Sequence, residues 1–290
     1  MLAQQLINGL MLGAIYMLVA VAFTLAIGVL NFLNFSIPGL FMAAGMIAFG
    51  ALKMGWHWTA ALGAAFFLCA VIALLVERLA YRPMMGGDVE VPLVSSLGFL
   101  VLLENLALIR FGSDQQAFPV LLGDMNIRMG GLVIGSAQIV SLGFSVAVVL
   151  WLTWFLSSTN TGRKVRAVAE NAESARMLGI NISRLVPQLF VGSAVLTALA
   201  GILFALNYQQ VSPFMGEIVG FKGIAAMIIG GMGSIWGAVL GGLLIGLVEV
   251  ASIATFGANV VDLSVYGLLL FILILRPQGL LGRPPGREKL

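Results

Sequence analysis

Three ionisable side chains with the potential for chemistry lie inside otherwise apolar stretches of this sequence: Glu104, Glu249 and Asp262. A charge inside such a run is costly in a membrane, and it marks a pore or a polar partner. Two overlapping pairs of glycines, each pair four residues apart, precede Glu249: Gly237/Gly241 and Gly242/Gly246. Small residues at this spacing allow close helix approach. We therefore predict a helix interface at these glycines, across which Glu249 hydrogen-bonds; no role follows for Glu104.

Metal, nucleotide and catalytic chemistry are not supported by the remaining residues. The chain has one cysteine, Cys69, and one histidine, His57 between Trp56 and Trp58, so no His/Cys zinc cluster can form. The Trp-His-Trp triplet is typical of an anchor at a membrane surface. No Gly-x-x-x-x-Gly-Lys-Ser/Thr motif occurs, so we expect no ATP binding by this chain. We predict no catalytic residues, no metal site, no cofactor and no enzyme activity.

A polar break interrupts the first apolar stretch and has the sequence Asn31-Phe-Leu-Asn34-Phe35-Ser36-Ile-Pro38-Gly39. Proline disfavours helix in the residue before it, so a broken helix is expected here. Free backbone groups and asparagine amides at such breaks bind zwitterionic solutes in other transporters. A plain loop between two helices is the alternative. The substrate-path interpretation includes Asn31, Asn34, Phe35 and Ser36.

One polar segment, residues 157–187, separates the apolar runs in the middle of the chain. Small apolar residues recur in it at spacings of three or four: Val165, Val168, Ala169, Ala172, Ala175 and Leu178. This pattern predicts a short amphipathic helix with one narrow apolar stripe. We expect Thr161 to cap its start, Gly179 to end it and Ser183 to cap the next helix. The stripe either rests on its own bundle and lipid headgroups or docks on a protein partner.

The elements that position these residues follow from composition. Of 290 residues, 60% are hydrophobic and 9% are charged, and the mean hydropathy is +1.07. Soluble domains carry about 25% charged residues, so a soluble fold is excluded. Disorder and nucleic-acid binding are excluded too, because the net charge is only +3. The sequence predicts an all-α polytopic membrane protein, a single domain over 1–290.

About eight transmembrane helices are expected from the lengths of the apolar runs, since about 20 apolar residues span a bilayer. The runs cover residues 6–30, 37–52, 58–76, 91–109, 132–156, 185–208, 223–252 and 258–275. We expect broken or re-entrant elements near 31–39 and 229–235.

Basic residues indicate which loops share a side of the membrane. Eleven of the 15 lie in the loop at 78–82, the loop at 157–184 and the tail after 275, which are therefore assigned to the cytoplasm. An even number of membrane crossings must then separate the loop at 157–184 from the tail. Three apolar runs lie between them, so the long run at 223–252 is expected to make either zero or two crossings. It contains Gly230-Gly231-Met-Gly233-Ser234, which predicts a re-entrant element or two short helices meeting at a turn. Non-helical backbone at that depth lines a cavity, so Gly230, Gly231, Gly233 and Ser234 join the candidate substrate path.

Four short motifs, in this order, make the chain resemble the smaller permease subunit of branched-chain amino acid importers of the ATP-binding-cassette class. They are Glu77-Arg78-x-Ala80-Tyr81-Arg82-Pro83; Gly162-Arg163-x-x-Arg166-Ala167-x-Ala169-Glu170 with Ala175-x-x-Leu178-Gly179-Ile180-Asn181; Gly230-Gly231-x-Gly233-Ser234-Ile235 with Gly237; and Pro277-x-Gly279-x-Leu281-Gly282-Arg283-Pro284. The similarity runs from about residue 6 to 284.

The resemblance implies a coupling role for the loop at 157–184, whose helix would dock in a groove of a cytoplasmic ATPase. It assigns to this coupling the residues Gly162, Arg163, Arg166, Ala169, Glu170, Ala172, Ala175, Leu178 and Gly179. It further implies a second related permease, two ATPase subunits that bind ATP and Mg²⁺, a periplasmic binding protein and a bacterial inner-membrane location. No nucleic acid is expected as a partner.

Substrate identity is less determined, because the family usually has Asn-Phe-Ala-His-Gly-Glu where this chain has Asn34-Phe-Ser-Ile-Pro-Gly39. The resemblance favours a branched-chain or related hydrophobic amino acid. An aromatic carboxylate, urea or a short amide is the alternative cargo. A secondary transporter without ATPases and a structural protein of the membrane are the rival functions.

Overall fold

The computed structural model describes residues 2–30, 32–84, 90–121, 126–129 and 132–282, and almost all of these are helical. The helices are α1 Leu2–Leu30, α2 Ser36–Lys53, α3 Trp58–Val76, α4 Glu90–Phe111, α5 Ser136–Ser158, α6 Asn160–Glu170, α7 Ala172–Met177, α8 Ile182–Tyr208, α9 Met215–Gly230, α10 Ile235–Phe256 and α11 Val261–Leu275. A π-helical turn, Glu77–Tyr81, extends α3, and a 3₁₀ turn, Ala258–Val260, precedes α11.

Eight helices in the described part of the chain are long and apolar enough to cross a membrane: α1 to α5, α8, α10 and α11. This confirms the predicted all-α polytopic architecture. The run at 223–252 is two helices, because α9 ends at Gly230 and α10 begins at Ile235. At 16 residues, α9 is about 24 Å long and shorter than these eight spans, of which the last reaches 18 residues when the turn Ala258–Val260 is counted with α11.

The core consists of α1, α2 and α8, whose apolar residues are mostly buried, whereas α3, α4, α5 and α11 lie at the periphery. The α1 helix is hydrophobic around its whole circumference, which is the pattern expected of a helix enclosed by others. It packs against α5, α8, α9 and α10.

Two small antiparallel strand pairs mark one end of the bundle, here called the hairpin end. Strands β1 (Gln116–Ala117) and β4 (Gln210–Val211) form one pair, and β2 (Asn126–Met129) and β3 (Leu132–Gly135) form the other. The Gln4 side chain donates to the Val133 carbonyl at 2.8 Å and accepts from the Val133 amide at 2.9 Å. The start of α1 therefore lies at the hairpin end.

The opposite end, here called the basic end, carries the segments 77–82, 159–184 and 276–282. Tyr81 packs the first segment against the end of α1 and the start of α8, since its ring stacks on Phe32 at 5.4 Å and lies 5.7 Å from that of Phe190. The Leu280 amide donates to the Ile229 carbonyl at 2.8 Å, so the last segment lies at the C-terminal end of α9. Four helices, α8 to α11, separate α7 from residues 276–282, and of these only α9 is too short to count among the eight spans. Whether the run at 223–252 makes zero or two crossings therefore stays a prediction.

Candidate functional site

The predicted amphipathic helix is two helices, α6 and α7, that meet at Asn171. Thr159 caps α6, accepting from the Gly162 amide at 3.0 Å, and Asn171 caps α7, accepting from the Ser174 amide at 2.8 Å. The prediction that Thr161 caps this helix was therefore wrong by one half-turn. The prediction for Ser183 was also wrong, because the Asn181 side chain caps α8. Gly179 follows α7 with φ of +80°, the left-handed conformation that ends helices.

The apolar stripe of this segment is divided between two surfaces. Val165, Val168 and Ala175 are buried, since α6 packs against α1 and α5. Ala169 and Ala172 are exposed, and Leu178 is 80% exposed. The residues of the predicted stripe therefore do not share one environment: the inner ones are buried against the bundle and the outer ones are exposed, so docking on a partner stays a prediction.

Two of the three predicted charged residues of the segment are tied to nearby backbone or side chains. Arg166 donates to the Leu156 carbonyl and, at 3.4 Å, to the Ser157 carbonyl at the end of α5. Arg163 donates to the Asn160 side chain, and Glu170 is exposed at the end of α6. Arg166 therefore links α6 to the end of α5, whereas the Arg163 contact lies within α6.

Asn34 and Ser36 form the start of α2, and both are buried. The Asn34 Oδ1 accepts from the Ser36 amide at 3.1 Å and from the Ser36 hydroxyl at 2.7 Å. The Phe35 amide donates to the Ser96 Oγ of α4 at 3.0 Å. The polar break thus caps the start of α2 and connects it to α4. Asn31 lies outside the described residues. The assignment of these residues to a substrate path stays a prediction.

The glycine-rich segment after α9 is a turn at the basic end. Gly231 and Gly233 have φ of +107° and +83°, which residues with a side chain rarely adopt. Gly231 also packs so closely on Gly279 and Gly282 that a Cβ would not fit. Nine residues of α9, about 14 Å, separate this turn from Phe221, which contacts Phe35. The two predicted parts of the substrate path therefore do not come together.

Helix α10 presents two glycine faces to two different helices. Gly237 and Gly241 lie against α9, where their neighbours are Gly230 and Ala226. Gly242 and Gly246 lie against α1, where the neighbours are Met17 and the pair Gly9 and Gly13. Because these contacts involve backbone atoms, α10 sits between its two neighbours with no room for larger side chains.

Glu249 bridges the same three helices. Its Oε2 accepts from the Tyr16 hydroxyl of α1 at 2.7 Å, and its Oε1 pairs with the Lys222 Nζ of α9 at 2.7 Å. Lys222 is 5% exposed, and it also lies 3.8 Å from an oxygen of Asp262 on α11. Sequence reasoning missed Lys222, although it is the only basic residue between Arg184 and Arg276 and hence the available counter-ion.

No group of three or more His, Cys, Asp or Glu able to hold a metal occurs in the described ranges. Cys69 is buried in α3. The His57 ring accepts from the Thr59 amide and so caps α3, while Trp56 and Trp58 are about half exposed beside it. A surface anchor at the hairpin end is consistent with this arrangement.

Comparison with known proteins gives matches over nearly the whole chain. Residues 5–275 match the model of a family described as branched-chain amino acid transport system / permease component. The high-affinity branched-chain amino acid transport system permease protein BraD of Pseudomonas aeruginosa is 36% identical, covering 97% of this chain and 96% of the relative. LivH of Escherichia coli K12, named as a permease of the same kind of system, is 32% identical with the same coverage.

A solved structure described as PsaBC from Streptococcus pneumoniae in complex with Fab has a similar fold. It superposes with a TM-score of 0.53 at 14% identity, covering 96% of this chain and 92% of that one. At this identity the likeness concerns the fold alone.

Proposed function

The chain belongs to the family of branched-chain amino acid transport system permease components, and from this we propose that it forms part of the translocation path for a branched-chain or related hydrophobic amino acid. We propose further that its α6–α7 segment couples this path to cytoplasmic ATPase subunits. The basic end would then face the cytoplasm of a bacterium, with the chain in the inner membrane.

The exposed side of α6 and α7 is the observation that carries the coupling proposal. Ala169, Ala172 and Leu178 form an apolar outer surface, while Val165 and Ala175 anchor the same segment inward. Because α6 packs against α1 and α5, a movement that an ATPase subunit imposes on the exposed side of the segment would be passed on to these two helices. Small outer side chains permit close approach of a partner groove. Coupling requires such a contiguous contact between two elements that change state together.

Each proposed partner has a separate role. Two ATPase subunits would bind ATP and Mg²⁺, a second related permease would complete the path, and a periplasmic binding protein would deliver the cargo. This chain would contribute no cofactor site. Since the binding protein would select the cargo, the translocation path itself needs only weak contacts with it.

The experiment that tests coupling replaces the outer surface of the segment. We expect Ala169→Glu combined with Ala172→Glu to abolish substrate-stimulated ATP hydrolysis in proteoliposomes that contain the assembled importer, because two carboxylates cannot enter an apolar groove. Ala60→Glu, at an exposed alanine in the first turn of α3 at the hairpin end, is the matched control. Unchanged assembly and unchanged ATP hydrolysis in the double variant would refute coupling through this surface.

Cargo identity is tested by competition against radiolabelled leucine uptake. We expect unlabelled leucine to compete and urea and benzoate to fail. Competition by urea or benzoate instead would favour the alternative cargo classes. Uptake that persists without the ATPase subunits would favour a secondary transporter.

A further inference from the structure

Helices α4 and α9 flank α2 at the same level. Gly39 of α2 packs on Leu100 and Leu103 of α4. Gly216 of α9 packs on Pro38 and Met42, one turn or less along α2. Glu104, one turn after Leu100 on α4, and Glu217, next to Gly216 on α9, therefore lie on the two helices that flank the first turns of α2. The space between these two helices over α2 is here called the groove.

Glu217 is exposed on the outer face of α9, alongside Phe214, Ile218 and Phe221. This helix packs between the membrane-crossing helices α1, α2 and α10, so its outer face lies at the depth of the bilayer. A carboxylate facing lipid chains is strongly unfavourable. The outer face of α9 must therefore adjoin water or a polar surface in the working protein.

Glu104 supplies the second observation. Its side chain is buried, with the residue 8% exposed, and its Oε1 has no hydrogen-bond partner among the residues that the structure describes. A buried carboxylate oxygen of this kind can accept from a hydrogen-bond donor, and a second carboxylate on the other helix that flanks α2 favours a cationic donor.

Aromatic rings lie at the end of this groove nearer the basic end. The Phe35 and Phe221 rings meet edge to face with centroids 6.5 Å apart, and Phe221 is partly exposed. They offer an apolar surface within one helical turn of Glu217 on the same face of α9, because residues four apart on a helix are neighbours.

We propose that the α4–α9 face lines the translocation path, that Glu104 and Glu217 bind the ammonium group of the passing amino acid, and that Phe35 and Phe221 contact its apolar side chain. This rests on the proposed function and adds the site and the chemical group recognised. An ammonium group carries three donors and no acceptor, so two acidic walls match it. The same walls repel solutes that carry only a carboxylate.

Uptake kinetics test the carboxylates. In proteoliposomes with the assembled importer, the binding protein selects the cargo first, so the test compares variants of this chain with the binding protein unchanged. Glu104→Gln and Glu217→Gln should each raise the KM for leucine about tenfold, because each converts a charged hydrogen bond into a neutral one. Glu90→Gln, at the exposed start of α4, is the matched control and should leave KM unchanged. Unchanged KM in both variants, with wild-type uptake intact, would overturn the ammonium site.

Cysteine labelling tests the water-lined face without relying on transport. Cys69 is the only cysteine and is buried, so the wild-type chain serves as the blank. Ile218→Cys should react with a water-soluble trimethylammonium methanethiosulfonate at least tenfold faster than Leu270→Cys on the exposed surface of α11. Equal rates would overturn the path assignment. If wild-type proteoliposomes take up no leucine, the proposed function fails, whereas the labelling result still decides whether the face is water-lined.

Discussion

Replacing Lys222 by methionine should destabilise this protein more than any other single change to a charged side chain. Lys222 is the cation of a buried network in which Glu249 also accepts from Tyr16. Methionine keeps most of the side-chain volume, so the change isolates the charge. It leaves the Glu249 carboxylate buried with one neutral donor.

The magnitude follows from the geometry. Removing one member of a buried ion pair costs about 3–5 kcal/mol, because the remaining charge stays desolvated. At about 2–4 °C per kcal/mol, the apparent melting temperature should fall by roughly 6–20 °C. Glu249→Gln should cost less, since Lys222 then retains Asp262 at 3.8 Å as a partner, though an exposed one. Lys222→Met combined with Glu249→Leu should recover much of the loss, because no unpaired charge remains.

Thermal unfolding of the purified chain in detergent, followed by size-exclusion chromatography of heated samples, measures these effects. Lys53→Met, at an exposed lysine ending α2, is the matched control and should change little. The double variant closes a mutant cycle that gives the coupling energy of the pair. If Lys222→Met is no worse than Lys53→Met, the pair carries no stability and the reasoning is refuted.

Two further outcomes follow from the packing. Gly246→Ala should destabilise the protein by about 1–3 kcal/mol or more, because the new Cβ meets the backbone of Gly13. Gly267→Ala on α11, where a Cβ meets nothing within 4 Å, should be neutral or stabilise by about 0.5–1 kcal/mol. Thermal unfolding measures both variants, and equal effects would contradict the proposed close packing. Thr159→Ala should cost about 1 kcal/mol of local stability and speed amide exchange across the first turn of α6, because it removes the cap. Thr161→Ala should leave that exchange unchanged, and the reverse result would restore Thr161 as the cap.

The membrane architecture was predictable because it depends on local composition. Apolar runs and loop charges are read directly along the chain, and even the split of 223–252 followed from parity. The position of the α6 cap was not predictable, because Thr159 and Thr161 can both accept the same kind of hydrogen bond. Thr159 caps because its backbone is extended, with φ of −91° and ψ of 157°, and this depends on how α5 ends.

The contacts that make up the candidate site depend on tertiary structure, which explains why sequence reasoning found only part of it. Glu249 was recognised as an interface residue, yet its partner Lys222 lies 27 residues away and reaches it only because α9 turns back at Gly231. Glu104 likewise had no evident role until α2 brought α4 and α9 to the same level. Side-chain contacts between two helices cannot be predicted from the sequence pattern within one helix.

The network around Lys222 has a further role that follows from the glycine faces of α10. Interfaces between helices are normally held in register by side chains that interlock. Backbone contacts at Gly241 and Gly246 set how closely α10 approaches α9 and α1, and Leu243 and Leu247 of α10 fit against Gly13 and Gly9 of α1. Glu249 binds one residue on each neighbour, and a shift of one turn, about 5.4 Å, would break both bonds and leave a buried charge unpaired. The ion pair therefore adds a polar constraint to the register of the three helices, beside the close packing of the glycines.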